Sequence, residues 1–352
     1  MTLSSLLVQL LNGLAGASTL FLVAVGLSLI FGVTRIVNFA HGSFYMLGIY
    51  IAYTAVQGLG PVVGFWPALL LAGLAVGLVG GLVEVLLLRR IYHAPELFQL
   101  LATFALALVV KDVVLRLWGP EELLGPRAAG FVGSVEILGR KVPSYDLLLI
   151  VVGPLVLGLL TLLLTRTRWG TLVRAATQDR DMVAALGVNQ AWLFTSVFAL
   201  GALLAGLGGA LQLPREPANL ELDLHTIGAA FVVVVVGGMG SIPGAFVAAL
   251  LIAEVKAICV WIGLVEVAGI EISFSKLTLV VEFLVMAAVL ILRPWGLMGR
   301  APAASRHVSA IEAPLQPPGR LARGATLVLV AGLALLPVLS SVEIAELEGG
   351  RQ

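Results

Sequence analysis

The sequence predicts an all-α, polytopic membrane protein with about eight transmembrane helices in residues 1–300. Two of the predicted elements are interrupted, and one candidate extra helix follows at the C-terminus. Of the 352 residues, 60% are hydrophobic and 12% are charged, and the mean hydropathy is +1.07. These values lie outside the range of soluble globular domains. Apolar runs of roughly 17 to 25 residues, the length of a bilayer crossing, recur throughout the first 300 residues.

The charge and the cysteine content exclude several classes of protein. The formal net charge is +1, which leaves no basic excess for binding nucleic acid. Cys259 is the single cysteine, so an intrachain disulfide is excluded and a metal–thiolate site is not expected. We predict neither a bound metal nor a bound cofactor in this chain.

Eight apolar runs reach the length of a crossing. They are residues 5–33, 40–57, 62–88, 97–118, 144–165, 191–212, 243–263 and 274–292. A further stretch, FVVVVVGG at 231–238, is too short to cross alone, so we expect residues 224–263 to make a descent and a return. The predicted number of crossings therefore changes by one according to whether this segment enters the membrane. The first residues, MTLSSLLVQL, lack the pattern of a cleaved secretory signal, and the first run is expected to remain a membrane helix.

The arginines predict the orientation, because short loops rich in Lys and Arg stay in the cytoplasm. They cluster at Arg89 and Arg90, within 166–180, and at Arg293 and Arg300. The mixed-charge loops at 119–143 and 213–223 would then face outward. By parity, the N-terminus also lies outside.

A polar break interrupts the apolar N-terminal region, at VTRIVNFAHGSFYMLG in residues 33–48. Polar groups inside a bilayer need partners. We expect Asn38 to cap a helix that begins near Phe39, which leaves free N–H groups and a positive dipole end for a carboxylate. His41 and Ser43 would face the same region. The alternative, that His41 only satisfies a backbone carbonyl and locks the turn, stays open.

A second break is predicted at GGMGSIPG, residues 237–244. Ser241 is suited to cap the next helix, and Pro243 falls in its first turn, which tolerates proline. Glu254, near the middle of the following run, either lines a polar cavity or is a satisfied packing residue. No G-x-x-x-x-G-K-[ST] phosphate-binding loop occurs in the sequence, so the chain is not expected to be its own ATPase.

The segment from Thr165 to Asn189 is too polar to cross a membrane. We expect a short amphipathic helix there that ends at Gly187. One of its sides would carry Ala175, Met182, Ala185 and Leu186. Such a helix could insert into a groove on a soluble partner or rest on lipid headgroups, and the residues alone leave both interpretations open.

Four segments, in order along the chain, carry a resemblance to a known family. They are Gly26–Tyr50, the pattern Arg174-Ala175, Asp179 and Ala184-Ala185-Leu186-Gly187, then Val234–Ile252, and finally RPWGLMG at Arg293–Gly299. Together they run through nearly the whole of residues 1–300. They resemble the permease subunits of ABC importers of the branched-chain amino acid type, and the second segment resembles their coupling loop.

The resemblance implies two functional regions. The first is a translocation path, for which the candidate residues are Asn38, His41, Ser43, Gly240, Ser241 and Glu254. The second is a loop that couples the permease to its ATPase, for which the candidate residues are Arg174, Ala175, Asp179, Met182, Ala185, Leu186 and Gly187.

The resemblance also implies partners and a location. The partners are a homologous second permease, two ATP-binding subunits that use the ATP, a periplasmic substrate-binding protein and membrane lipid, with no nucleic acid. The location is the bacterial inner membrane. The permease domain would end at residue 300, because residues 301–323 form a proline- and alanine-rich flexible linker. Residues 324–352 would hold a candidate extra transmembrane helix and tail, which is a real span, a truncated fusion or a dispensable segment.

Three other functions compete with import of branched-chain amino acids. Import of urea, amides or other amino acids would share the same motifs. An ion-coupled secondary transporter would also contain broken helices, but it has no need of a docking helix in the cytoplasm. An intramembrane enzyme is disfavoured because the histidines are scattered and form no catalytic motif. They are His41, His93, His225 and His307.

Overall fold

The computed structural model describes residues 3–92, 94–267 and 270–299. The predicted linker at 301–323 and the candidate helix and tail at 324–352 lie outside this part of the chain. The proposed division of the C-terminus therefore stays a prediction. His93 and His307 also lie outside the described residues.

The described chain consists of α-helices and two short β-hairpins. The helices are α1 (Leu3–Thr34), α2 (His41–Gly58), α3 (Gly60–Val63), α4 (Phe65–Val83), α5 (Arg89–Ile91), α6 (Glu96–Trp118), α7 (Ser144–Arg166), α8 (Arg168–Gln178), α9 (Arg180–Ala185), α10 (Gln190–Gln212), α11 (Leu222–Gly237), α12 (Ile242–Ile262) and α13 (Phe274–Leu292). A π-helical turn, Glu84–Leu88, joins α4 to α5. The antiparallel strands are β1 (Ser134–Ile137) with β2 (Arg140–Pro143), and β3 (Leu264–Val267) with β4 (Ile270–Ser273).

Seven of the described helices are long and apolar enough to cross a membrane, which confirms the predicted fold class. They are α1, the continuous helix from α4 to α5, α6, α7, α10, α12 and α13. Each corresponds to a run predicted from the sequence.

Helix α2 fills the predicted run at 40–57, but it is not among these seven. It carries His41, Ser43 and three tyrosines, which lower its hydropathy. Its first ten residues are buried, and it packs against α10, α4 and α11. Because protein rather than lipid surrounds this half of α2, the helix does not need an apolar surface.

The predicted descent and return at 224–263 is present as α11 and α12. The descending helix has 16 residues and is shorter than a full crossing. The returning element is a full-length helix of 21 residues, in agreement with the predicted run at 243–263. The apolar run supports the longer helix because Pro243 lies in its first turn and interrupts no hydrogen bond.

Close backbone contacts hold α2 and α4 against α10. A Cβ atom placed on Gly48 of α2 would lie 2.2 Å from the carbonyl oxygen of Gly206 on α10. One on Gly77 of α4 would lie 3.0 Å from the Cβ of Leu203. The glycines have no side chain at these points, so the helix backbones approach each other closely. In a bilayer, such close approach allows dispersion contacts and backbone dipoles to contribute to helix association. Helix α1 also packs closely on α10, as well as on α12.

The arginine-rich segments lie together at one end of the bundle. Arg35, in the first break, donates from Nη2 to the carbonyl of Thr177 on α8, at 2.8 Å. The segment after α13 reaches the same end, because Leu297 donates its N–H to the carbonyl of Val236 at the end of α11. The mixed-charge loops meet at the other end, where Leu123 and Ala218 pair through their backbones.

Candidate functional site

The first break separates α1 from α2 at residues 35–40. Helix α1 ends because Arg35 adopts a left-handed conformation, with φ of +61°, a geometry that is uncommon outside glycine. Asn38 is fully buried, and its Oδ1 accepts a hydrogen bond from the N–H of Ala40 at 3.1 Å. Asn38 therefore closes a local turn before α2 and is not its predicted cap, because Ala40 occupies the N-cap position and no side chain caps this helix. Helix α2 then begins at His41, two residues later than the expected start.

His41 joins the two helices that flank this break. Its Nε2 lies 2.9 Å from the carbonyl oxygen of Val23 on α1. A carbonyl only accepts hydrogen bonds, so Nε2 carries the proton and donates. The side chain is fully buried, and neither His41 Nδ1 nor Ser43 Oγ has a hydrogen-bond partner in the described part of the chain. This geometry includes the carbonyl contact that the sequence left as one alternative; a role in the translocation path stays a prediction.

The second break is the four-residue turn between α11 and α12. Gly238 and Gly240 have φ of +98° and +83°, which a residue with a side chain rarely adopts. Ser241 Oγ accepts a hydrogen bond from the N–H of Gly244 at 3.1 Å, so the predicted cap of α12 is present. The glycines thus turn the chain sharply, and Ser241 starts the returning helix.

The two breaks and helix α8 meet at one point. A Cβ atom placed on Gly32, in the last turn of α1, would lie 3.3 Å from Cα of Gly240 and 3.0 Å from the Thr177 methyl group. The hydrogen bond from Arg35 to the carbonyl of Thr177 closes the same contact. Helix α8 therefore touches the end of α1 directly, and α1 touches the second break.

The RPWGLMG motif completes this end of the bundle. Met298 donates its N–H to the carbonyl of Gly237 at 3.1 Å, alongside the bond from Leu297 to Val236. These bonds satisfy the last carbonyl groups of α11, which otherwise lack intrahelical partners. Gly296 and Gly299 pack directly on Gly238. The motif, which lies beyond α13, therefore holds the second break in place through these contacts.

The segment at 165–189 contains two helices and not the single helix predicted. Asp179 separates α8 from α9 with extended dihedral angles, and its Oδ1 accepts a hydrogen bond from the N–H of Met182 at 2.9 Å. Aspartate competes with the helical backbone in this way and favours a cap over a helix interior. Ala175 consequently lies on a different helix from Met182 and Ala185. Gly187, at φ of +81°, ends the second helix as expected.

Helix α9 and the residue that follows it present apolar side chains to the outside. Leu186 is 76% exposed and Met182 is 58% exposed, whereas Val183 is buried against the bundle. Arg174, on α8, and Arg180, the first residue of α9, are also exposed. We name the surface formed by Met182, Ala185 and Leu186 the α9 surface.

A cavity of about 390 Å³ lies toward the opposite end of the bundle. It is open to one side and is lined by α1, Tyr45 of α2, the end of α10 with the turn after it, α11 and α12, and it extends inward to Val23, whose carbonyl binds His41. We name it the outer cavity. Its polar lining includes Gln9, Asn12, Thr19, Gln212, Arg215 and Glu216.

Two charged side chains that line the outer cavity form ion pairs across helices. Lys256 of α12 forms an ion pair with Glu282 of α13. Arg215 binds Asp146 of α7 through Nε, at 3.0 Å. Glu254 lies behind the cavity wall, where a Cβ atom on Gly13 would be 3.0 Å from its Oε1, an atom with no hydrogen-bond partner among the described residues.

Comparison with known proteins defines the family. A family model described as the permease component of the branched-chain amino acid transport system matches residues 9–290. The chain belongs to this permease family.

Several relatives of this permease are named for the same transport system. BraD of Pseudomonas aeruginosa, a high-affinity branched-chain amino acid transport system permease protein, is 31% identical over 83% of this chain and 95% of its own length. LivH of Escherichia coli, which bears the same description, is 26% identical over 83% of this chain and 95% of its own. LivM of Salmonella typhimurium is 26% identical over 66% of this chain and 59% of its own. No solved structure matches the permease.

None of the residues predicted for the translocation path lines the outer cavity of this permease, and His225, which does line it, was predicted only as one of four scattered histidines. One signal for the lining residues exists in α1. Gln9, Asn12, Gly16, Thr19 and Val23 recur at intervals of three or four residues, and all of them line the cavity. A polar or small stripe on an otherwise apolar membrane helix marks a face turned away from lipid. The partners of that stripe on α10, α11 and α12 cannot be identified without the packing.

Proposed function

We propose that this chain is a permease subunit of a binding-protein-dependent ABC importer that carries leucine, isoleucine and valine through the bacterial inner membrane. Family membership supports the transport role, and the names of the relatives support the substrate class. The N-terminus faces outward in this proposal, because that orientation puts the arginine-rich loops in the cytoplasm. The outer cavity then opens toward the periplasm.

The observation that carries the proposal is the contact of α8 with the helix breaks. Thr177 of α8 binds Arg35 and packs on Gly32, which itself packs on Gly240. A displacement of α8 and α9 therefore acts directly on the end of α1 and, through it, on the turn between α11 and α12. This arrangement suits a loop that transmits movement from a soluble ATPase into the membrane.

The α9 surface is the proposed docking point for that ATPase. Its apolar side chains are exposed, and Arg180 on the same helix is exposed as well, as expected of a helix that enters a groove on another protein. Two separate ATP-binding subunits would hold the ATP, since the sequence contains no phosphate-binding loop of its own.

The remaining partners follow from the same proposal. A homologous second permease supplies the other half of the translocation path, and a periplasmic substrate-binding protein delivers the substrate. The similarity to LivM, as well as to LivH, is consistent with pairing between related permeases. The candidate path residues Asn38, His41, Ser43, Gly240, Ser241 and Glu254 would lie along or beside this path.

Reconstitution of the complete importer tests the proposed function. The chain is purified with a second permease, ATP-binding subunits and the substrate-binding protein encoded beside it, and is placed in proteoliposomes. We expect leucine uptake that requires both ATP and the binding protein. Uptake driven by an ion gradient without ATP would contradict the proposal in favour of a secondary transporter. Uptake of urea or acetamide but not of leucine would contradict the substrate class alone.

A further inference from the structure

The outer cavity contains hydrogen-bond acceptors that lack donors. Gln212 is at the end of α10, and its Oε1 is buried without a partner in the described part of the chain. Glu216 follows one turn later, where its N–H donates to the carbonyl of Gln212 at 3.0 Å. Among the described residues Glu216 forms no ion pair, unlike its neighbours Arg215 and Lys256. A buried acceptor without a donor is costly, so this part of the cavity favours a group that donates several hydrogen bonds.

The residue beside Glu216 has the opposite charge and spare donors. Arg215 uses Nε for its bond to Asp146, and its terminal nitrogens have no hydrogen-bond partner among the described residues. A guanidinium has five N–H donors, so several remain available for a carboxylate. An acceptor group and a donor group of opposite charge therefore occupy consecutive positions in the chain and line one cavity.

The inner part of the same cavity is apolar. Leu20 and Val23 of α1 line it together with Leu222 and Ala229 of α11. The volume of about 390 Å³ lies within the range of small-molecule sites, roughly 300 to 1,000 Å³. A small ligand with a charged head and an apolar side chain would match this lining.

We propose that the outer cavity is a recognition site for a free, zwitterionic α-amino acid within the permease itself. Glu216 and the Gln212 carbonyl oxygen receive the α-ammonium group, the terminal nitrogens of Arg215 bind the α-carboxylate, and the apolar wall receives the side chain. This inference rests on the proposed function. Beyond that function, the inference assigns recognition of the substrate's amino group to the permease, and not to the substrate-binding protein alone.

The test measures binding of radiolabelled leucine to the importer complex in nanodiscs, without the substrate-binding protein. Wild type is compared with Glu216→Gln, and the matched control is Glu121→Gln, which alters an exposed glutamate of the loop after α6. We expect Glu216→Gln to weaken leucine binding about tenfold, because it removes a charged acceptor. The control should stay within about twofold of wild type. Gln212→Met, which removes the buried acceptor and keeps the side-chain length, should also weaken binding.

Competition between leucine and a related oxo acid identifies which group of the ligand the site recognises. 4-Methyl-2-oxopentanoate has the leucine side chain and carboxylate but no ammonium group, and we expect it to compete poorly with leucine on wild type. The Glu216→Gln variant should lose this discrimination. The inference is overturned if the wild-type complex binds no leucine, if both variants bind it as wild type does, or if the oxo acid competes as well as leucine.

The proteoliposome assay separates this inference from the proposed function. Leucine uptake by the wild-type importer that Glu216→Gln leaves unchanged contradicts the inference and leaves the proposed function standing. A wild-type importer that takes up no leucine contradicts both. Co-purification of the variant with its partner subunits shows that it is assembled.

Discussion

At the scale of single residues, a fully buried carboxylate ties α4 to α10. Glu84, in the π-helical turn, accepts hydrogen bonds from Arg89, Tyr92 and Thr195. Arg89 is only five residues away in the chain, whereas Thr195 is 111 residues away and could be found only from the packing. Burial, together with Glu84, raises the pKa of the Tyr92 hydroxyl, which therefore remains a hydrogen-bond donor. π-Helical turns often mark functional positions, and this one lies at the end of the bundle that carries α8 and α9.

Replacement of Glu84 should destabilise this end of the permease. In Glu84→Ala, the hydroxyls of Tyr92 and Thr195 and the guanidinium of Arg89 all lose their acceptor. Arg89 is partly exposed and can turn to water, so we expect a loss of about 2 kcal/mol, below the usual cost of breaking a buried pair. Thermal unfolding in detergent measures the loss, with Glu96→Ala, at an exposed site in the first turn of α6, as the control. Equal melting temperatures for the two variants would show that the cluster contributes nothing.

At the scale of secondary-structure elements, close contacts between helices set the architecture. Helix α2 shows the effect of such contacts, because it contains one glycine in a close contact, Gly48, and one in open surroundings, Gly58. A Cβ atom on Gly48 would collide with the backbone of Gly206, whereas one on Gly58 would meet nothing within 4 Å. The backbone of α10 cannot retreat without disturbing its contacts with α1 and α4.

The two glycines therefore provide a matched pair of substitutions. Gly48→Ala should push α2 away from α10 and destabilise the permease by roughly 3 kcal/mol, at the upper end of overpacking penalties. Gly58→Ala should leave stability unchanged or raise it slightly, since alanine favours the helix. Melting temperature and the amount of protein in the membrane report both effects. A Gly48→Ala variant as stable as Gly58→Ala would contradict the close α2–α10 contact.

The transmembrane helices could be predicted from the sequence wherever hydropathy alone determines where a helix begins and ends. The long runs that became α1, α6, α7, α10 and α13 all emerged within a few residues of their predicted limits, because a lipid-facing helix must be apolar. The break at Asp179 was not predicted as two helices, since its side-chain cap competes with an otherwise helical pattern. The outer cavity was missed for a different reason: its lining comes from five parts of the chain, and only the packing brings Gln212 and Glu216 next to α1.

Across the whole molecule, α1 connects the proposed recognition site at one of its ends with the segment proposed to meet the ATPase at the other. Helix α1 lines the outer cavity along Gln9 to Val23, and its last turn contacts Thr177 and Gly240. His41, bound to the Val23 carbonyl, lies between the two regions. Movement of α8 and α9 by an ATPase would therefore reach the cavity through α1. The α9 surface is thereby linked to transport.

The most direct test of this link between the α9 surface and transport is Leu186→Asp, measured by co-purification with the ATP-binding subunits and by leucine uptake in proteoliposomes. An unpaired charge buried in a desolvated interface costs several kcal/mol, and affinity falls tenfold for each 1.4 kcal/mol. Leu138→Asp is the control, because Leu138 is 65% exposed in the turn between β1 and β2, among the loops at the opposite end of the bundle. We expect Leu186→Asp to insert and to pair with the second permease but to lose the ATP-binding subunits and leucine uptake, while Leu138→Asp keeps both. Normal co-purification and uptake by Leu186→Asp would contradict this link.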